Sequence, residues 1–312
     1  MKVRIGHLST FYHTAILLMA DGGTEKRLDA RIEWRLMGTG PAIVQAFRQG
    51  ELDLAYIGLP PAIIGIDQGV NIVCVAGGHM EGTAMAGKRQ WRGLPEEGDL
   101  GSVLSQFRGR VIGVPGRGSI HDVILKDCIE KQGLEREIEV RNFAWADLVT
   151  EAVVKDEVSA AVGTPALAAA IRRFADGRVL IPPSKLWPDN PSYGIAVDRN
   201  FLEKYPGVVE RILGLHEEAT AFIRNQPSEA ARAIADFVGI VDQELVLDAI
   251  GISPRYCAQL TEAYIASTMK FVPVLRRLGY IRSEIAEDRI FDRGMIDRIH
   301  PGKDHYGEGI RL

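Results

Sequence analysis

The stretch Gly38–Gly69, GTGPAIVQAFRQGELDLAYIGLPPAIIGIDQG, constrains this chain more than any other. Its apolar run Leu52–Ile57 stops at Gly58, Pro60 and Pro61, and a second apolar segment follows. That pattern predicts a buried strand, a sharp turn and a short helix. The stretch has an echo 105 residues on, at Asp156–Leu167, where Gly163 answers Gly58 and Pro165 answers Pro60.

The echo extends to the flanks. Val3, Ile5 and His7 alternate with Arg4 and Gly6 as a first strand, and Ser9-Thr10 breaks it before a helix over Thr14–Met19. Ala30–Leu36 predicts a second strand. Gly38-Thr39-Gly40-Pro41 then opens a helix with a cap at Thr39 or Gly40 and proline in the first turn. In the second half Gly109–Pro115 predicts a strand, Gly116–Ser119 a break, Ile120–Ile129 a helix, Ile138–Asn142 a strand, Ala146–Val154 a helix and Val158–Val162 a strand. Ile5-Gly6 aligns with Ile112-Gly113, and His13 with His121 after one inserted residue. Matches in one order predict two similar α/β lobes. A length of 312 residues suits two such units.

Asn71–Ala76 predicts a fourth strand, and Trp91–Gly101, polar with Gly and Pro, is the expected linker. Val179–Ile181 and Tyr193–Val197 predict strands either side of a proline-rich crossing, the second returning the chain to the first lobe. Helices are expected over Val208–Arg224, Ser228–Phe237, Gln243–Ile250, Thr261–Leu278 and Arg293–Ile299, with a polar, peripheral tail from His300. The expected division is residues 1–85 with 194–312 as one lobe and 86–193 as the other.

Composition narrows the function. Hydrophobic residues make up 46% and charged residues 25%, as in globular domains, and a net charge of −4 leaves no basic footprint for nucleic acid. No run approaches the roughly 18 apolar residues of a membrane-spanning helix. Cys74, Cys128 and Cys257 lack metal or redox spacing and predict small core residues. Met1 leads straight into a strand pattern without a basic and apolar leader, so as written the chain is expected in the cytoplasm; behind a removed signal it would be extracytoplasmic.

Open α/β sheets bind ligands beyond the carboxyl ends of their strands. Those ends are Ser9-Thr10, Thr39-Gly40, Gly58-Leu59 and His79 in one lobe, and Arg117-Gly118-Ser119, Trp145 and Gly163-Thr164 in the other. Such small and hydroxylated residues before helices let backbone N–H groups meet a ligand, although each run alone also suits an ordinary cap.

These residues carry a resemblance. IGHLST (Ile5–Thr10), Gly38–Gly58, FRGRVIGVPGRGSIHDVIL (Phe107–Leu125), DEVSAAVGTPALAA (Asp156–Ala169) and YGIAVDRNFLEKYP (Tyr193–Pro206) make the chain similar to the type II periplasmic-binding-protein fold. The branch is that of the nitrate, sulfonate and thiamine-pyrimidine binding proteins of ABC transporters, and the likeness covers about residues 2–240. It implies an α/β fold of two lobes with a ligand cleft between them, hinges near residues 78–100 and 182–193, a small-molecule ligand and an ABC permease as partner. It implies no cofactor.

His13, His79 and His121 are expected at the cleft as hydrogen-bonding groups. They lack metal-ligand spacing, so neither a metal nor a catalytic residue is assigned. His7 is expected as a satisfied strand residue and Trp34 as core. Tyr12, Trp145, Trp187 and Tyr193 are candidates to stack on a planar ligand, and Arg117 to pair with an anionic group. Related enzymes on this fold use a cysteine at the first-strand break or a Cys-rich metal motif; here Ser9-Thr10 stands at that break. The expected function is a solute-binding protein that closes on a small anionic or planar metabolite. The alternatives are a cytoplasmic enzyme on the same fold, acting on a small aromatic or pyrimidine-like molecule, and a sensory ligand-binding module.

Overall fold

Ten strands form two five-stranded sheets in a computed structural model that describes residues 1–308 and 310. In chain order they are β1 (Lys2–Leu8), β2 (Arg31–Met37), β3 (Leu54–Ile57), β4 (Ile72–Met80), β5 (Ala84–Lys88), β6 (Arg110–Pro115), β7 (Ile138–Phe143), β8 (Ala160–Gly163), β9 (Gly177–Ile181) and β10 (Pro191–Asp198). The sheet orders are β2-β1-β3-β10-β4 and β7-β6-β8-β5-β9.

The two orders are one pattern written twice. In each, the first strand of the repeat pairs in parallel with its two neighbours, Ile5 facing Trp34 and Leu54, Ile112 facing Val140 and Ala160. Each then takes an antiparallel strand from the other half of the chain: β10 between β3 and β4, β5 between β8 and β9. The chain therefore crosses between lobes twice. The predicted echo of Gly58 and Gly163 is the ends of β3 and β8, equivalent central strands. Both are buried throughout, which is why they read as unbroken apolar runs rather than alternating ones.

Several expectations need correction. Trp91–Gly101 is not the crossing; it lies within the second lobe and carries the short helices Leu94–Glu97 and part of Leu100–Ser105. The first crossing is only Glu81, Gly82 and Thr83, and the second is residues 182–190. An extended boundary after residue 85 would cut β5, and one after 193 would cut β10. The expected helix Thr261–Leu278 is two, Glu262–Met269 and Phe271–Arg277. Pro273 has no N–H to offer back to Met269, so the ladder breaks one turn earlier.

The C-terminal extension also does not stay with the first lobe. Helix Gln243–Ile252 packs on helix Pro165–Phe174 of the second, with Arg173 to Asp242 at 2.5 Å along the seam. Nor is the tail peripheral: Tyr306 is buried, stacks near Tyr264 and donates to the Gln259 carbonyl at 3.0 Å. Trp34 is half-buried on the edge-adjacent face of β2, edge-on to His7. The three cysteines are buried and unpaired, and burial raises the Cys74 and Cys128 thiols to about 12.

Candidate functional site

Six helices begin at one cleft between the sheets. They are Thr14–Ala20, Gly40–Arg48 and Leu59–Asp67 from the first lobe, and Ile120–Lys131, Ala146–Val154 and Pro165–Phe174 from the second. The cleft is lined by the capping residues His13, Thr39, Gly58, Ser119 and Thr164, together with Ala146, which opens its helix. Each cap directly follows a strand or its turn, so the strand–turn–helix grammar of the sequence delivers helix N-termini to the carboxyl ends of both sheets. Unpaired N–H groups and aligned peptide dipoles make that wall electropositive.

Among the described residues that line it there is no Arg, Lys, Asp or Glu. The polar groups are hydroxyls and imidazoles, and their commitments differ. Ser119 Oγ donates to the Pro115 carbonyl at 2.5 Å and accepts from the Asp122 N–H, so its proton is spent. Thr39 and Thr164 accept from the Ala42 and Leu167 N–H groups, leaving their protons free. Tyr12 and Ser192 share a hydroxyl contact at 3.3 Å. Thr10 Oγ1 and His13 Nδ1 are buried in the wall with no partner at all.

Every histidine here is held neutral. Burial drives His13 well below its ordinary range, and the neighbouring His79, His7, His121 and His216 push the same way. Burial lowers His121 to about 3 and His79 to about 4. His121 Nδ1 pairs with Thr83 Oγ1 at 2.9 Å, which leaves Nε2 as its available nitrogen. His13 lies on the Tyr193 ring, centroids 3.9 Å apart. Behind it runs a fixed chain: His216 Nε2 donates to the Gly77 carbonyl at 2.9 Å, so its Nδ1 accepts from Thr14 Oγ1 at 2.9 Å, and Tyr193 OH lies 3.1 Å from the same Thr14 oxygen.

Of the residues singled out in the sequence, Ser9, Thr10, Tyr12, His13, Thr39, Gly40, Gly58, Ser119, His121 and Thr164 meet at this cleft. Trp145 lies at its rim against Gly38. The others stand elsewhere. His79 is fully buried behind Tyr12 and gives its Nε2 to the Ser253 carbonyl. Tyr193 is the floor beneath His13, and Leu59 and Gly163 are buried in core packing. Trp187 stacks on Phe271, 4.1 Å between centroids, and donates to Ser267. Arg117 and Gly118 face an outer groove shared with Arg48, Gln68 and Tyr280. Gly116 and Gly118 both have positive φ, and that double turn carries Arg117 out to solvent. His7 gives its Nδ1 to the Leu8 carbonyl, as a satisfied strand residue does.

Sequence reasoning missed Leu8, Pro61, Pro115, Ile120, Ala146 and Ser192 in the lining. Ser192 had a signal, since it sits one residue before the return strand's Tyr193. Ile120 had none, because an apolar first-turn residue reads as core. Among the described residues no three His, Cys, Asp or Glu side chains gather closely enough to hold a metal ion.

Two lobes built on the same crossed sheet, with helix starts facing each other across a cleft, define a bilobal ligand-binding fold. The chain belongs to the NMT1-like family, whose family model matches residues 1–239. A comparison with curated proteins finds no match. Among solved structures it is similar to the alkanesulfonate-binding protein SsuA from Xanthomonas axonopodis pv. citri bound to MOPS, at 15% identity, 94% of this chain and 98% of that one, TM-score 0.75. The periplasmic aliphatic sulphonate binding protein SsuA from Escherichia coli matches at 18% identity over 93% and 97%, TM-score 0.76. The periplasmic nitrate-binding protein NrtA from Synechocystis PCC 6803 matches at 12% identity over 99% and 91%, TM-score 0.75. These likenesses establish the fold, with α/β lobes and a cleft as the sequence predicts.

Proposed function

We propose that the protein is the solute-binding component of an ABC-type import system, closing its lobes on a small anionic or planar metabolite. The observation that carries this is the pair Thr10 Oγ1 and His13 Nδ1, buried in the cleft wall without partners. A buried polar atom without a hydrogen bond costs about 1–3 kcal/mol, and a ligand removes that cost. The surrounding helix N-termini favour negative charge or acceptor oxygens, and the neutral wall supplies no competing carboxylate.

At the cleft mouth Trp145 meets Gly38 and Thr39 meets Gly116, a side chain of one lobe against the bare backbone of the other. A metabolite therefore enters only when the lobes part. The moving units are residues 1–85 with 194–312 against 86–193, trimmed to the strand ends and with helix Gln243–Ile252 seated on the second lobe, and the hinges are 81–83 and 182–190. The solved relatives named for sulfonate and nitrate binding support the ligand class. Delivery to an import permease calls for an extracytoplasmic location. No helix among the described residues is long and apolar enough to cross a membrane itself.

The test is a thermal-shift panel of nitrate, alkanesulfonates, aromatic acids and pyrimidines, alongside mass spectrometry of the denatured protein. A ligand at 100 times its Kd adds about 2.7 kcal/mol of stability. One class should raise the Tm by several degrees and lose that effect in His13→Gln. No shift anywhere at millimolar concentration, with no small molecule released on denaturation, would overturn the reading.

A further inference from the structure

We propose that Tyr280 and Asp122 form an interlobe latch: a positioning pair that holds the cleft helix of the second lobe against the first and sets the open–closed equilibrium without touching the ligand. The closure part stands on the two-lobed structure alone. Only its consequence, a change in ligand affinity, rests on the solute-binding reading.

Ser119, Ile120 and His121 open helix Ile120–Lys131 and face the cleft, whereas the next residue, Asp122, is fully buried and is not part of the lining. Inside its own lobe the Asp122 carboxylate accepts from the Gly118 N–H at 2.8 Å, from Asn142 Nδ2 at 3.0 Å and from Lys126 Nζ at 3.0 Å. Those three bonds fix it to the turn, to β7 and to the next helical turn. The remaining bond crosses the lobes: the Tyr280 hydroxyl donates to Asp122 Oδ2 and accepts from Lys126 Nζ at 2.8 Å.

Tyr280 is anchored on the first lobe. Gly279, at φ 74, ends the helical segment and turns the chain. Two residues on, the Arg282 and Ser283 N–H groups bind the Asp67 carboxylate at 3.1 and 3.0 Å, at the end of helix Leu59–Asp67. One turn back, Arg277 reaches Asp127 at 2.5 Å and Glu130 at 2.9 Å on the same second-lobe helix.

The position of the pair gives it leverage. At the far end of that helix Lys131 lies over Trp187, in the second crossing, and Trp187 stacks on Phe271. Asp122 is nine residues from Lys131, about 13 Å along a helix. Rotation about the second crossing therefore disturbs the Trp187–Phe271 stack least and parts Tyr280 from Asp122 more, while the Thr83–His121 bond ties the near end of the same helix to the first crossing. The Arg277 contacts lie between.

The experiment places nitroxide labels at Gln49→Cys and Glu139→Cys, exposed positions on the two lobes, and reads their separation by double electron–electron resonance without ligand. The native cysteines are buried and stay unlabelled. Tyr280→Phe should raise the ratio of long to short separations by about tenfold, the worth of one charge-assisted hydrogen bond. Arg277→Gln should do the same more weakly, and the double variant more strongly. Denaturant midpoints are read in parallel, because a merely structural loss lowers the midpoint without moving the separation. Distributions for Tyr280→Phe and the double variant that superimpose on the parent would overturn the latch, whatever the ligand screen returns.

Discussion

The indole of Trp145, on the second lobe, lies directly on Gly38 of the first. A methyl group built on Gly38 would come within 3.2 Å of the ring and 2.6 Å of the Ala144 carbonyl oxygen. The opposite contact is its mirror: a methyl on Gly116 of the second lobe would meet the Thr39 side chain of the first at 2.7 Å. Each lobe thus offers a bare backbone to a side chain of the other at the cleft mouth. The Gly38 position requires glycine for the lobes to meet as they do here rather than for a backbone angle.

Gly38→Ala should therefore hinder closure while leaving the fold intact. The expected readout is Trp145 fluorescence, obtained as the difference from a Trp145→Phe control. Its emission should move to the red and become more accessible to acrylamide, with Tm within a few degrees of the parent. Emission unchanged in both respects would show that the mouth tolerates a methyl group.

Thr10→Val separates stability from binding. Valine matches threonine in shape and removes a hydroxyl that has no partner in the wall. Unfolding free energy should stay constant or rise by up to about 1 kcal/mol, because an unsatisfied buried group is lost. Ligand affinity should fall by about tenfold for one hydrogen bond. A destabilised variant with unchanged affinity would place the hydroxyl in the fold rather than in the site.

Much of this cleft was legible in the sequence, for a definite reason. Small and hydroxylated residues are favoured as helix caps, so Thr39, Ser119 and Thr164 after strands announce themselves, and the repeat says that they face one another, whereas the caps His13 and Trp145 follow no such preference. Directions of side chains beyond the caps were not legible. Arg117 between two glycines suggested a ligand arginine, yet the left-handed turn at those glycines points it outward. Trp187 beside prolines suggested a stacking platform, and its partner Phe271, 84 residues on, could not be paired with it from spacing. The expected hinge ranges, residues 78–100 and 182–193, contain both crossings, but nothing in the spacing shows that Glu81 and Asp189 adopt positive φ there without being glycine.

Acid should unfold this protein in a window set by its histidines. Burial lowers His79 and His216 to about 4 and His121 to about 3, against about 6.5 in an unfolded chain. Below pH 6.5 the unfolded state binds protons that the folded state refuses, so stability falls as pH falls. The stabilising effect is complete above about 6.5 and lost progressively down to about 4 for His79 and His216 and about 3 for His121. Each such group adds a slope of about 1.4 kcal/mol per pH unit. Denaturant midpoints between pH 7 and 4 should drop steeply, and His121→Gln should flatten the curve. A flat profile over that range would mean that the histidines titrate in the folded state.

The two crossings are clamped by one arginine. Arg255 Nη1 lies 2.8 Å from both Glu81 Oε1 and Asp189 Oδ1, one carboxylate on each crossing, and its Nε donates to the Tyr306 carbonyl at 3.0 Å. Both acidic residues hold left-handed backbone, at φ 58 and 57, a conformation costing about 1 kcal/mol or more for each non-glycine residue. Backbone bonds reinforce the clamp, with the Glu81 N–H on the Asn190 carbonyl at 2.6 Å and the Asp189 N–H on Glu81 Oε1 at 3.1 Å. Removing the guanidinium leaves two facing carboxylates on strained turns. Arg255→Met should cost about 1–3 kcal/mol, toward the low end because Asp189 is half-exposed to solvent. It should also make residues 182–190 the first site cut in limited proteolysis. Raising the salt to 1 M should narrow the difference between parent and variant, since screening weakens the pairs only where Arg255 is present. A variant with parental stability and an unchanged first cut would show that backbone pairing alone holds the hinge.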